Sequence, residues 1–285
     1  MKSLCIKTNN AEILNYLQKS FEKINLEETY ISVKNFKHFN NIIIHFKGKE
    51  YTKFYTYISN AITKCIIKFY EEFLIYSLIS SNYFYFNSAE KKKILDNTLN
   101  LLLENDNLSS SRYDFINNEI YKNILNNHSV YLQGIINFKL SNYINFLNTQ
   151  IDIAVNKFLI DKEYIEFVNI LRLYIKSECE DSKIDHLHLI YRNKTSILTD
   201  DNKNIINFND SIKKSRYISD ISFSSNDLAL NTLLNLVPKS ITIHLVDGYS
   251  DEFINTLKLI FQDRIKICED CDICSMYKHK KLNKL

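Results

Sequence analysis

The sequence predicts an α+β fold. An N-terminal β-α-β-β unit comes first, an all-helical region follows, and a C-terminal α/β region ends in a β-α-β. Three observations predict it. Short Ile/Val/Tyr-rich runs bounded by Asn, Gly and Ser lie at the two ends of the chain. Apolar residues spaced three and four apart fill the middle, and the one proline, Pro238, lies outside that stretch. Hydrophobic residues make up 45% and charged residues 24% of 285 residues, which is globular composition at a length that can bury a sizeable core. The divisions fall at residues 1–48, 49–180 and 181–285.

Element by element, "SLCIKT" (residues 3–8) predicts a strand. Asn10 caps a helix running to about residue 23, with Ile13, Leu14, Leu17 and Phe21 on one face. "TYISVKNF" and "NNIIIHFKG" predict two further strands, ending at Gly48. From residue 51, Phe54, Tyr55, Ile58, Ile62, Cys65, Ile66 and Phe69 form a continuous apolar stripe. Ser88 caps the next helix, which carries Ile94, Leu95, Leu99 and Leu102, and another helix follows Ser109–Ser111. A long apolar pattern then starts at "VYLQGIINFKL", and a separate helix covers "KEYIEFVNILRLYIKSE". These stripes read as core.

In the last region "IDHLHLIY" (residues 184–191) alternates as a half-buried strand, Asn193 and Lys194 turn the chain into "TSIL", and "NIINF" adds a further strand. Ser225 or Asn226 caps a helix that Pro238 stops. "SITIHLV", a helix over 251–261 and "RIKIC" form a strand-helix-strand suited to a parallel crossover.

Composition excludes several functions. The formal net charge is +3, from 36 basic and 33 acidic residues, so no whole-molecule attraction to nucleic acid or membrane is expected. With five arginines, a developed phosphate-reading face is not expected either. The longest uncharged run, residues 73–89, falls short of the ~20 residues that span a bilayer. The first residues lack a signal-peptide core, so the expected location is cytoplasmic and the thiols reduced. Three glycines leave no phosphate-cradling loop, and G-x-G-x-x-G, Walker, H-E-x-x-H and G-x-S-x-G motifs are absent. That absence weighs against an enzyme. Abundant Asn, Ile, Lys, Tyr and Phe share A/T-rich codons, a genomic bias rather than low complexity.

Chemistry concentrates in "RIKICEDCDICSMYKHKKLNKL", where Cys268, Cys271 and Cys274 follow a C-x2-C-x2-C spacing. In a reducing compartment such a run reads as a metal or redox site, because closely spaced thiolates can face one ion from a tight turn. The run lacks the fourth cysteine and proline of a bacterial ferredoxin. A fourth ligand could come from His279, Cys5, Cys179, a partner or solvent, with zinc or an iron–sulfur cluster as cofactor. Glu269, Asp270 and Asp272 between the thiols oppose their ionisation unless a metal compensates. The alternative is a solvent-exposed run of reduced cysteines with no ligand.

A second candidate lies on strands. His186 and His188 are two apart and share a face, with Asp185 opposite; His244 and His45 sit on other strands. If those strands are neighbours, the histidines converge on a metal or acid/base site; otherwise they are polar residues on an open sheet face.

The stretches "LQGIINFKLSNYINFLNTQIDIAVNKFLIDKEYIEFVNILRLYI" and "LNLVPKSITIHLVDGYSDEFINTLKLIFQDRIKICEDCDIC" resemble the YtxC family of putative sporulation proteins of endospore-forming bacteria. The resemblance covers about residues 131–274, including Phe138, Leu140, Tyr143, Ala154, Val155 and Phe158 and the cysteine ending. It implies a role in sporulation, with no biochemical activity and no catalytic residues to carry over. The leading expectation is a cytoplasmic, non-enzymatic binding or scaffold protein with protein partners and a metal or redox site at Cys268, Cys271 and Cys274. A metalloenzyme or iron–sulfur protein is the alternative, and a nucleic-acid-binding regulator using the basic "KHKKLNKL" is a further one.

Overall fold

A computed structural model describes residues 2–23, 28–36, 39–104, 106–178, 184–206 and 224–279; of residues 106, 107 and 279 it describes the backbone alone. The fold is α+β, as predicted. The chain forms two compact units, Met1–Ile160 and Asp161–Leu285.

The first unit holds the β-α-β-β segment and most of the helices around one hydrophobic core. β1 (Lys2–Thr8), β2 (Thr29–Asn35), β3 (Asn40–Phe46) and β4 (Ser129–Tyr131) form a sheet in the order β2-β3-β1-β4. β4 pairs in parallel with β1, and sequence reading missed it because three residues carry no pattern. α1 (Ala11–Glu22) starts as expected at Asn10, whose Oδ1 accepts from the N–H groups of Glu12 at 2.8 Å and Ile13 at 3.2 Å. α2 (Tyr51–Asn82) buries Phe54, Ile58, Ile62, Cys65 and Ile66 of the predicted stripe.

α3 (Ser88–Glu104) is capped by Asn87 rather than Ser88: Asn87 Oδ1 accepts from Glu90 N–H, and Glu90 Oε2 accepts from Asn87 N–H, both at 3.0 Å. α4 (Asp106–Asn126) runs through Ser109–Ser111 instead of starting after them. α5 (Leu132–Phe138) follows β4. α6 (Ser141–Ser177) fuses the two helices expected between residues 141 and 178, since no glycine or proline separates them. Across α2, α4 and α6, buried Glu71 accepts from Arg112 Nη1 at 2.7 Å and from the Tyr143 hydroxyl at 2.6 Å.

The second unit is a four-stranded sheet in the order β6-β5-β7-β8. β5 (His186–Arg192) and β6 (Thr195–Thr199) form a hairpin, while β5–β7 (Ser240–Leu245) and β7–β8 (Ile265–Cys268) are parallel. Of the strand expected at "NIINF", Ile205 makes one isolated bridge to Thr199, and residues 207 and 208 lie outside the described residues. α7 (Ser225–Leu236) is capped by Ser224, one residue before the expected cap, in a reciprocal box with Asp227. α8 (Glu252–Phe261) is capped by Asp251.

Strand alternation then sorts the side chains. Leu187, Leu189, Tyr191, Ile241, Ile243 and Leu245 pack with α7, α8 and the last turns of α6. The opposite face carries His186, His188, Ile190, Thr242 and His244. α9 (Asp272–His279) follows β8 directly beside that face.

Candidate metal centre

His244 is the second-last residue of β7, and its register partner in parallel β8 is Cys268. The chain leaves β8 at Cys268, turns, and enters α9 through Cys271. The carbonyl of Cys271 accepts the first helical bond, from Ser275 N–H at 2.9 Å. Its Sγ accepts from the N–H of Cys274, three residues on, at 3.5 Å. Cys271 therefore stands as the N-cap of α9, with a sulfur in the place where Ser or Asp usually offers an oxygen. Cys274 is one turn further in and fully buried.

These constraints gather four donor atoms. Cys271 Sγ lies 3.4 Å and Cys274 Sγ 3.6 Å from His244 Nδ1, and the two sulfurs are 3.7 Å apart. With Cys268 Sγ included, all four lie within 4.8 Å of one another. Zn–S bonds of about 2.3 Å and Zn–N bonds of about 2.0–2.1 Å give tetrahedral edges of about 3.8 Å for S···S and about 3.5 Å for S···N. The three edges of 3.4, 3.6 and 3.7 Å match.

The surroundings tune the four donors differently. Burial pushes the Cys274 thiol up to about 12, and the sulfurs of Cys271 and Cys268 push the same way. Burial, then Cys271, also raises Cys268. Burial acts upward on Cys271 too, but is outweighed by the N–H of Cys274, by the Cys268 and Cys274 thiols and by the N–H of Ile273, so its thiol titrates low. The first turn of a helix stabilises a thiolate in the same sense. Burial, then the charges of His188 and His186, holds His244 at about 4, so its ring is neutral at pH 7 and keeps a lone pair for a ligand. Glu269, Asp270 and Asp272, expected to oppose thiol ionisation, are exposed to water, which screens them.

The strand histidines converge as well. His188 Nδ1 lies 2.9 Å from His244 Nε2, on the side away from the sulfurs. His188 Nε2 is 3.3 Å and His186 Nδ1 2.5 Å from Asp201 Oδ1. His186 Nε2 is 2.9 Å from Thr242 Oγ1. Asp185, expected on the opposite face, pairs with Lys239 at 2.6 Å. His45 belongs to the first unit, where its Nδ1 lies 2.8 Å from Ser3 Oγ; Cys5 is on β1 of that unit. The side chain of His279 and the whole of Cys179, both named above as possible fourth ligands, lie outside the described residues.

Two participants were not connected with the site by sequence reading. His244 was grouped with the strand histidines, not with the cysteines; the parallel β7–β8 crossover was the signal that joins it to Cys268. Asp201 was not singled out. Continuing the β5–β6 ladder two pairs beyond His188↔Thr199 puts it opposite His186.

Comparison with protein families decides the lineage: the family model described as the YtxC-like family matches residues 56–266. The chain belongs to the YtxC-like family. The matched span contains His186, His188, Asp201 and His244 and stops two residues before Cys268. No curated protein and no solved structure matches this YtxC-like chain. Among its described residues, no helix is long and apolar enough to cross a membrane.

Proposed function

We propose that this chain is a cytoplasmic, non-enzymatic zinc protein of sporulation. In this reading His244, Cys268, Cys271 and Cys274 hold one structural zinc ion, and the protein acts by binding other proteins. The single observation that carries the metal reading is the tetrahedral spacing of His244 Nδ1 and the Cys271 and Cys274 sulfurs. Four protein donors close the coordination sphere, which suits a structural rather than a catalytic zinc. Thiolates that hold a [4Fe–4S] cluster bond to separate irons and stand further apart than 3.7 Å, so zinc is favoured over that cluster. The sporulation setting draws on the family resemblance. The binding role draws on exposed apolar residues along α6, among them Ile165, Ile170 and Leu173.

The experiment is metal analysis of full-length protein purified in reducing, oxygen-free buffer. About one thiolate-held zinc per chain is expected, and a C268S/C271S/C274S variant should lose it. Cobalt substitution should produce a thiolate-to-cobalt charge-transfer band that His244→Ala shifts. Metal-free protein with unchanged stability in the triple variant defeats the reading, and a brown iron-loaded protein replaces zinc with a cluster. For the biological setting, the triple variant is expected to lower spore yield in a spore-forming host that carries it as its one copy. Normal yield in both that strain and a full deletion removes the sporulation role.

A further inference from the structure

Beside the four donors of the zinc reading, the same sheet face carries a second set. His186 Nδ1 and His188 Nε2 both face Asp201 Oδ1, at 2.5 and 3.3 Å, and one donor atom from each of the three residues lies within 4.8 Å of the others. Strand alternation puts both rings on one face, and the hairpin brings Asp201 across to His186. The turn that carries Asp201 is braced by its neighbour: Asp200 accepts from the Asn204 N–H at 2.8 Å and from its Nδ2 at 3.0 Å. Each ring is also held by its other nitrogen, His186 through Thr242 Oγ1 and His188 through His244 Nε2, both at 2.9 Å. Ligating histidines are oriented in this way. Asp201 has 64% of its side chain exposed, so this set opens to solvent, whereas His244 and Cys274 of the cysteine set are buried.

We propose that His186, His188 and Asp201 form a second, solvent-open site for a divalent transition cation, and that its occupancy opposes that of the Cys3His centre. Two imidazoles and one carboxylate suit ions such as Zn2+ and Co2+ and leave positions for water or an exchanging ligand. The site itself stands without the zinc reading; the opposition rests on it.

The opposition comes from the hydrogen bond between the rings. A neutral imidazole has one N–H. An ion on His244 Nδ1 leaves the N–H of that ring on Nε2, where it donates to His188 Nδ1. An ion on His188 Nε2 leaves the N–H of that ring on Nδ1, facing the same His244 nitrogen. With both ions bound, two N–H groups oppose each other and the 2.9 Å hydrogen bond is lost. By linkage, each ion weakens the other by the same factor.

Cobalt is the probe, because thiolate-bound Co2+ shows a charge-transfer band that an N2O site lacks. In the full-length C268S/C271S/C274S chain, Co2+ is expected to bind at one equivalent without that band. Adding His186→Ala or Asp201→Asn should weaken this binding at least about tenfold. In zinc-loaded wild-type protein the same binding should be about tenfold weaker than in the Cys→Ser chain. Binding that both variants leave unchanged, or binding equally strong in the two backgrounds, overturns the proposal.

Should the triple variant fail to fold, zinc-depleted wild-type protein takes its place. Its charge-transfer band should saturate at the first equivalent, and His186→Ala should remove the weaker visible bands added by the second. A second equivalent that His186→Ala does not affect also overturns the proposal. Absence of the charge-transfer band speaks against the Cys3His centre alone, so the two readings fail separately.

Discussion

Removing zinc should cost the second unit several kcal/mol, and His244→Ala should abolish that cost. The bound state is pre-arranged: edges of 3.4, 3.6 and 3.7 Å already sit near those of a zinc tetrahedron, so little binding free energy goes into moving ligands. An ion that binds the folded state alone stabilises it by RT ln(1 + [L]/Kd), about 2.7 kcal/mol at 100 Kd and about 4.1 kcal/mol at 1,000 Kd. His244→Ala leaves three thiols and takes away one donor of four. A hundred- to thousandfold loss of affinity then removes about 2.7–4.1 kcal/mol of zinc-dependent stability. For a unit of this size, 1 kcal/mol moves the midpoint by about 3–5 °C, so the zinc-dependent increment should be about 10–20 °C. Scanning calorimetry with and without a chelator reads that increment. The difference between the two scans is the quantity to compare, because His244→Ala also removes a buried ring. Hydrogen exchange should locate the loss in β7, β8 and α9 and leave α2 protected. Equal midpoints with zinc and with chelator in wild-type protein would refute the reasoning.

The first unit supplies predictions independent of metal. Arg112→Met strands the Glu71 carboxylate in a buried site, and urea unfolding should show a loss of about 3–5 kcal/mol, most of it recovered in Glu71→Leu/Arg112→Met. Burial raises Glu71 above the usual glutamate range against the opposing pull of Tyr143 and Arg112. The folded state therefore holds this proton more tightly than the unfolded chain does. Its contribution is fully present below the ordinary glutamate pKa and is lost as pH rises through the raised value. Glu71→Gln should flatten that slope in a pH series of unfolding midpoints. In the second unit, Ser224→Ala breaks the capping box of α7 and should cost about 1 kcal/mol in the same assay. Asn10→Ala should cost α1 a similar amount.

Much of this architecture is written in side-chain spacing. The stripe from Phe54 to Ile66 predicts α2 because burial of one helical face dominates there. Spacing fails where neighbours compete. Asn87 and Ser88 can both cap, and Asn87 wins because Glu90 lies three residues on and closes the box. The serines at 109–111 read as a helix start, yet α4 begins at Asp106 and carries them inside it. β4 is found through its partner β1, not through three residues of its own. The candidate centre divides along the same line. Three cysteines at C-x2-C-x2-C are visible because they are local. Their approach to His244 depends on which strands lie side by side, and periodicity does not encode strand order.

The position of the centre argues for a structural ion. β8 has four residues and lies at the edge of its sheet, and α9 has eight. Isolated helices of that length are marginal in water, so α9 needs tertiary contacts to persist. Among its described side chains, the one fully buried is Cys274. The backbone of Tyr277 adds one hydrogen bond, accepting from Arg192 Nη1 of β5 at 2.5 Å. A hydrophobic helix face would normally hold such an element in place; here the packing residue is itself a candidate ligand. In the proposed reading a zinc ion would join Cys268 at the end of β8, Cys271 at the cap of α9, Cys274 inside it and His244 on β7, and would stand in for that core with four bonds.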